Sequence, residues 1–162
     1  MPDPNLFTPV FDQETARGPY RWKRALVGRQ AGASRLGASV FEVPPGGATF
    51  PYHAHHANEE LLLVLEGRPT LRTPAGEREL EPGAVVSFPA GRGGAHRIEN
   101  RSDAPARIVL VSTMLGPEIN EFPDSGTLWA RSYVPGTAAS DGDVVAVGRV
   151  GDALDPLADE SL

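Results

Sequence analysis

The regular alternation of short apolar runs with glycine and proline is the feature that most constrains the fold of this chain. Its 162 residues include 18 glycines and 16 prolines, which separate runs rich in β-branched and other apolar side chains. Helical periodicity is nearly absent. Many short strands with turn signals between them indicate an antiparallel sandwich or barrel, so the sequence predicts an all-β fold. The predicted strands span residues 25–30, 34–43, 48–53, 60–65, 68–73, 78–80, 84–88, 96–99, 106–114 and 144–150.

Two short segments contain all four histidines of the chain and indicate a metal site. His53 and His55 lie two residues apart on a predicted strand, so both imidazoles face the same side. Glu60 follows at the start of an apolar run and adds an anionic oxygen, and His96 lies in the second segment. Because the chain has no cysteine, a bound metal must be held by nitrogen and oxygen. We expect one divalent transition metal per chain, bound by His53, His55, Glu60 and His96.

The spacing of these residues resembles that of the cupin family. Segment 47–67 has the form G-x5-H-x-H-x4-E-x6-G of the first cupin motif, and segment 83–100 follows the second, G-x5-P-x-G-x2-H-x3-N. The second match departs at one point, because four residues separate Gly91 from His96 where the family usually has two. The extra pair falls in a glycine-rich turn, so we expect a longer loop and an unchanged ligand.

The resemblance implies a single-domain cupin jelly-roll β-barrel, as in small bacterial cupins that carry one cupin domain. A length of 162 residues is also typical of one domain. We expect an N-terminal extension over residues 1–39 that packs on the barrel, a cupin core over 40–115, and a C-terminal extension and tail over 116–162.

Two neighbouring residues compete with the proposed ligands. His56 replaces His55 if the strand ends early, although the alternation of a strand places His56 on the opposite face. Glu59 competes with Glu60, but the six residues between Glu60 and Gly67 match the motif. The histidine segment also has a simpler interpretation, as a solvated loop or a hydrogen-bonded core element.

The dipeptide Glu66-Gly67 predicts a two-residue hairpin. In that register the pairs are Leu65 with Arg68, Leu62 with Leu71, and Glu60 with Thr73. If Glu60 faces the interior, Leu62, Val64 and Leu71 line the pocket beside it.

The opposite face of the same strand carries Leu61, Leu63 and Leu65, where a solvated sheet would carry polar residues. Either residues 1–40 or a second subunit must cover these leucines. Because sheet-mediated homodimers are common among cupins, we expect a homodimer.

Composition excludes several other partners. The net charge of −6 and the single lysine provide no basic stripe for nucleic acid. No apolar run is long enough to span a membrane, so we expect a cytoplasmic protein.

Three imidazoles and one carboxylate leave coordination positions open on Fe, Mn, Ni, Co or Zn. Open positions favour a metal-dependent enzyme acting on a small polar molecule, either a dioxygenase or a sugar-type isomerase or epimerase. The alternative is a non-catalytic module that binds or senses a small ligand through the metal. Arg92, in the glycine-rich turn, is either a contact for an anionic substrate or a solvated loop arginine.

Overall fold

The computed structural model describes residues 3–134, 137 and 139–151, and within these residues the regular secondary structure consists almost entirely of antiparallel β-strands. Its helices are a single turn, α1 (Val27–Gln30), and a 3₁₀ turn at Arg92–Gly94. The strands are β1 (Gln13–Arg17), β2 (Tyr20–Ala25), β3 (Leu36–Val43), β4 (Ala54–His55), β5 (Glu60–Glu66), β6 (Thr70–Thr73), β7 (Gly76–Glu79), β8 (Val85–Phe88), β9 (Arg97–Glu99), β10 (Ala106–Thr113), β11 (Glu118–Phe122), β12 (Thr127–Arg131) and β13 (Val145–Arg149). The predicted all-β fold is confirmed, whereas most of the predicted C-terminal tail, 152–162, lies outside the described residues.

The strands form three sheets. The largest has the order β1-β2-β3-β10-β5-β8, and a smaller sheet has the order β7-β6-β9. The main core lies between these two sheets, because it combines residues of both, such as Leu62 and Ile108 from the first and Leu71 and Ile98 from the second. A third sheet, β13-β12-β11-β4, carries the histidine-containing strand β4 on its edge.

Strand β5 is apolar on both faces because each face packs against a different cluster. Leu62 and Val64 belong to the main core. On the other face, Leu63 and Leu65 pack against a second cluster that includes Ala25, to which the N-terminal segment also contributes Phe11 and Val27. The N-terminal segment therefore covers part of the leucine face, and Leu61 remains exposed at its end.

The predicted hairpin at Glu66-Gly67 is wrong. Strand β5 pairs with β10 and β8, placing Glu60 opposite Phe88, while β6 pairs with β7 and β9. The chain instead passes from one sheet to the other at Gly67, whose φ of +78° suits glycine. A Cβ on Gly67 would lie 2.7 Å from Cα of Ala106, so only glycine fits this corner. The local turn sequence does not show that both edges of β5 are already hydrogen-bonded to other strands, β10 and β8.

The strand predicted over residues 25–30 is also wrong. The strand β2 ends at Ala25, and the chain continues into α1, where the Gln30 N–H donates to the Leu26 carbonyl at 2.9 Å. Strand β1 was not predicted, because it is a polar strand at the edge of the sheet with mostly exposed side chains. No helix among the described residues is long and apolar enough to cross a membrane.

Candidate metal centre

The two histidine segments meet through a short antiparallel bridge between His53 and His96. The His53 N–H donates to the His96 carbonyl at 3.1 Å, and the His96 N–H donates to the His53 carbonyl at 2.9 Å. The two extra residues before His96 are accommodated by the 3₁₀ turn at Arg92–Gly94, as the glycine-rich sequence predicts. The backbone therefore holds the two imidazoles side by side, with ring centroids 4.7 Å apart.

Glu60, the first residue of β5, completes the cluster. Its Oε2 lies 3.2 Å from His96 Nε2 and 3.4 Å from His55 Nε2. Donor atoms of His53, Glu60 and His96 all lie within 4.8 Å of one another, so this group could hold a metal ion. His55 adjoins the group, with its ring centroid 5.0 Å from that of His53. The four residues predicted from the motifs thus converge on one place.

Backbone carbonyls orient two of the imidazoles. His53 Nδ1 lies 2.8 Å from the Pro51 carbonyl, and His96 Nδ1 lies 2.9 Å from the Gly94 carbonyl. A carbonyl only accepts, so we assign a proton to Nδ1 in both rings, and a bound metal would coordinate Nε2. This is the tautomer that a metal ligand requires, and a hydrogen bond from the other ring nitrogen is typical of such ligands.

The protonation states of His53 and Glu60 suit a cation site. Burial, together with the neighbouring His96 and His55, lowers the pKa of His53 to about 3, so its imidazole is neutral at neutral pH. Burial by itself would raise the pKa of Glu60, but hydrogen bonds from His55 and His96 hold that pKa well below its usual range. The cluster therefore offers a neutral nitrogen beside a charged oxygen.

Glu118, at the start of β11, belongs to the candidate site and was not predicted from the sequence. Its buried carboxylate accepts backbone N–H bonds from His56, Ala57 and Ile119 at 2.9–3.0 Å, and its Oε2 also contacts Asn58 and lies 3.2 Å from His55 Nδ1. Burial alone would raise its pKa, but these bonds outweigh burial and lower it to about 2. Glu118 is therefore an anion that can hold the Nδ1 proton of His55.

The pKa of His55 shifts in the opposite direction to that of His53. Burial opposes its charged form, but hydrogen bonds with Glu118 and Glu60 raise its pKa to about 9. A second residue, Asn120, places its amide nitrogen 2.9 Å from His55 Nδ1, and its Oδ1 accepts from Arg131 at 2.7 Å. Nδ1 cannot donate to Glu118 and accept from Asn120 at once. We assign the proton to Nδ1 because a bond to a carboxylate is the stronger one.

His56 and Glu59, the alternatives to His55 and Glu60, lie outside the cluster. His56 points away from the cluster, with Nε2 2.9 Å from Glu121 Oε2 and its side chain 40% exposed. Glu59 is exposed. Arg92 also binds Glu121, with Nε 2.9 Å from Oε1, on the outside of the turn.

A cavity of about 670 Å³ opens beside the cluster, and His53, His55 and Glu60 form part of its wall. The expectation that Leu62, Val64 and Leu71 line this pocket is wrong, because all three are buried in the main core. The wall also includes four aromatic residues, three arginines and several aliphatic and small polar residues: Phe41, Phe50, Phe122, Trp129, Arg24, Arg29, Arg131, Leu36, Leu110, Met114, Ser39, Ser112 and Asn120.

Comparison with known proteins identifies the fold family. Residues 39–112 match the family model of the cupin domain. These residues form a cupin domain. The resemblance drawn from the two motifs is confirmed, and the antiparallel sheets are those of the cupin jelly roll.

Three relatives of this cupin are informative. The sugar phosphate isomerase of the cupin superfamily from Silicibacter pomeroyi is 25% identical, with a TM-score of 0.74 over 91% of this chain and 92% of that chain. The polyketide cyclase RemF from Streptomyces resistomycificus is also 25% identical, with a TM-score of 0.56 over 70% and 79% of the two chains. The tetracenomycin polyketide synthase protein TcmJ from Streptomyces glaucescens is 32% identical over 92 residues, which span 57% of this chain and 60% of that relative.

The site of this cupin extends beyond the matched region. Glu118, Asn120 and Arg131 follow residue 112, on strands β11 and β12. The sequence predicted residues 116–162 only as a C-terminal extension and tail, because contacts with His55 across so long a stretch of chain follow no local spacing. The C-terminal sheet is therefore part of the site and supports one of its histidines.

Proposed function

We propose that this cupin is a metal-dependent enzyme that promotes enolisation of a small carbonyl compound with adjacent oxygen atoms, as an isomerase does. His53, His55, Glu60 and His96 would hold one divalent transition metal. The observation that carries the proposal is the convergence of their donor atoms at the wall of a cavity of about 670 Å³, where a ligand can reach the open coordination positions. When bound, such a metal would polarise a carbonyl or enediol oxygen as a Lewis acid.

The donor set fits this role. It provides three imidazole nitrogens and one carboxylate oxygen, a combination that suits Fe(II), Mn(II), Co(II), Ni(II) and Zn(II). Carbonyl contacts orient His53 and His96, and Glu118 orients His55, so the chain itself positions the nitrogens. Four protein ligands on an ion that accepts five or six leave at least one position for a substrate oxygen, in contrast to a closed structural zinc site.

The rest of the cavity would exclude water from the reacting atoms. Phe50 packs edge-on against His53 with ring centroids 5.9 Å apart, and Phe122 stacks on the same imidazole at 6.3 Å. These rings flank the metal-facing side of the cavity with apolar surface. A cavity of this kind strengthens electrostatic interactions with the bound substrate.

The relatives support enolisation chemistry, since one of them is named a sugar phosphate isomerase. A second candidate, cyclisation of an aromatic precursor, is favoured by the aromatic wall of the cavity and by the two polyketide relatives. Both reactions require activation of a hydrogen next to a carbonyl group, so one assay can detect either.

The test is metal-dependent hydrogen exchange. Chelator-treated protein is reconstituted with Mn(II), Ni(II), Fe(II) or Zn(II) and incubated in D2O with sugar phosphates or with aromatic β-diketones. NMR should detect deuterium next to the carbonyl, and the exchange should be lost in His53→Ala and retained in His56→Ala. Oxygen uptake with the Fe(II) form and no exchange would instead indicate a dioxygenase. Binding of these compounds with neither reaction would indicate a non-catalytic module.

We also propose a homodimer formed through the sheet edge at β8. Val85 and the adjacent Leu61 are 59% and 36% exposed on the leucine face that the N-terminal segment leaves open. Light scattering of the wild type and of Val85→Lys would test this assembly. We expect a dimer for the wild type and a monomer for the variant.

A further inference from the structure

Two of the three arginines in the cavity wall, Arg24 and Arg131, are partly buried, whereas Arg29 is exposed. Arg24 lies on β2 of the six-stranded sheet, and Arg131 lies at the end of β12 in the C-terminal sheet. They reach the cavity from different sheets, and both are partly buried. Neither belongs to the proposed metal ligands.

Among the described residues, the hydrogen-bond acceptor of the Arg24 guanidinium group is neutral. Its Nε and Nη2 both donate to the single hydroxyl oxygen of Ser39, at 3.0 and 2.9 Å. The group lies 5.2 Å from the centroid of the Phe41 ring. Burial lowers its pKa, against the more distant charges of Asp12 and Glu60.

The guanidinium group of Arg131 likewise donates to a neutral side chain. Its Nη2 donates to Asn120 Oδ1 at 2.7 Å, and the guanidinium lies 4.4 Å from the centroid of the Trp129 ring. Its buried Nε has no hydrogen-bond partner within the part of the chain that the structure describes. Burial also lowers its pKa, although the charge of Glu118 opposes this shift.

Other arginines of the protein have carboxylate partners. Arg72 pairs with Asp124, Arg101 with Glu77, and Arg107 with Glu42. None of the ion pairs among the described residues includes Arg24 or Arg131. A partly desolvated guanidinium with unused N–H donors is costly unless an anion completes it, and its planar fork matches phosphate or carboxylate oxygens.

We propose that Arg24 and Arg131 form an anion subsite in this cavity, so that the ligand of the metal centre carries a phosphate or carboxylate group as well as a metal-binding oxygen pair. This inference rests on the proposed function, since the metal would hold one end of the same ligand. It narrows the substrate class to anionic carbonyl compounds. Asn120 links the subsite to the cluster, because it contacts both Arg131 and His55.

The experiment uses three hydroxamates that chelate a metal identically and differ at the other end. Acetohydroxamate has a neutral methyl group, phosphoglycolohydroxamate a phosphate, and succinic monohydroxamate a carboxylate. Calorimetry on the Ni(II)-loaded protein should show that at least one anionic probe binds about 10-fold or more tightly than acetohydroxamate, as expected for charge-assisted hydrogen bonds. The tighter of the two anionic probes identifies the preferred group.

The variants Arg24→Met and Arg131→Met keep the aliphatic stem and remove the charge. Each should lose most of the advantage of the anionic probe while binding acetohydroxamate as the wild type does. The matched control is Arg17→Gln, an exposed arginine on β1 with the same loss of charge, which should bind all probes unchanged. If a methionine variant does not fold, as judged by circular dichroism, the corresponding glutamine variant replaces it.

The experiment distinguishes a failure of the anion subsite from a failure of the proposed function. If acetohydroxamate binds and the anionic probes bind no more tightly, or if their advantage survives in both arginine variants, the anion subsite is wrong and the open metal site stands. If no hydroxamate binds, the proposed function fails. The subsite is then decided by inorganic phosphate on the metal-free protein, which should raise the melting temperature of the wild type but not of the arginine variants. No rise in the wild type would overturn the inference.

Discussion

The carboxylate of Glu118 accepts a hydrogen bond from Nδ1 of His55 at 3.2 Å, between residues 63 positions apart in the chain. The contact joins β4, which lies within the cupin motif, to β11, which follows the matched domain. With its Nδ1 proton held by Glu118, His55 directs Nε2 towards Glu60 and the proposed metal position. The C-terminal sheet thereby sets the tautomer and orientation of one proposed ligand.

Replacing Glu118 by Gln should weaken metal binding about 10- to 100-fold, the usual effect of losing a carboxylate that orients a ligating histidine. The matched control is Glu121→Gln, on the same strand, because Glu121 contacts His56 and Arg92 and not His55. Competition with a chromophoric chelator would measure both affinities. Equal affinities in the two variants would show that Glu118 has only a structural role.

Much of the fold followed from the sequence, because alternation and turn residues are local signals. The strand at residues 60–65 and the one at 106–114 were predicted close to their observed bounds. The pairing of β5 was not predicted correctly. Glu66-Gly67 forms a corner between two sheets, and its local sequence is indistinguishable from that of a hairpin turn. Motif spacing brought together His53, His55, Glu60 and His96, but Glu118 and Arg131 depend on pairing between distant strands that no spacing rule encodes.

Two histidines three residues apart, His53 and His56, provide a test of the ligand assignment. Replacing His53 by Ala should remove most of the bound metal, because His53 is buried with its Nε2 free for coordination. Replacing His56 by Ala should leave the metal content unchanged, because His56 faces Glu121 at the surface. Elemental analysis of both purified proteins would decide the assignment, and a loss in both variants or in neither would contradict it.

Removing the metal should destabilise the protein without unfolding it. The main core consists of apolar side chains such as Phe41, Leu62 and Ile108 and contains none of the proposed ligands. A metal present at about 1,000 times its dissociation constant adds about 4 kcal/mol to the free energy of unfolding. Calorimetry before and after chelation should therefore show a lower melting temperature with a cooperative transition retained. A chelated protein that lacks any transition would indicate a structural metal.

The raised pKa of His55 predicts how the stability of the metal-free protein depends on pH. Its pKa is about 9 in the folded protein and about 6.5 in an unfolded chain. The protonated form is therefore favoured by folding, and this stabilisation is fully present below pH 6.5 and is lost as the pH rises through about 9. Urea denaturation of chelated protein should show the free energy of unfolding falling over that interval.

The stabilisation that a bound metal provides should instead increase with pH. A metal competes with the proton of His55, so its stabilising effect should grow between pH 6.5 and 9 as the proton leaves more readily. The variant His55→Ala, studied without metal, should lack the decline seen in the chelated wild type. A decline of the same size in His55→Ala would assign the effect to another group.

The turn before His96 contains two adjacent glycines, one in a crowded position and one in open space. A Cβ on Gly94 would lie 1.9 Å from the Pro89 carbonyl oxygen, whereas a Cβ on Gly93 would meet nothing within 4 Å. The Gly94 carbonyl also accepts from His96 Nδ1 at 2.9 Å, so moving this residue moves the imidazole. Gly94→Ala should cost about 2 kcal/mol or more of stability, typical of overpacking, and should weaken metal binding. Gly93→Ala should match the wild type in both denaturation and metal titration. Wild-type behaviour of Gly94→Ala would mean that the turn does not position His96.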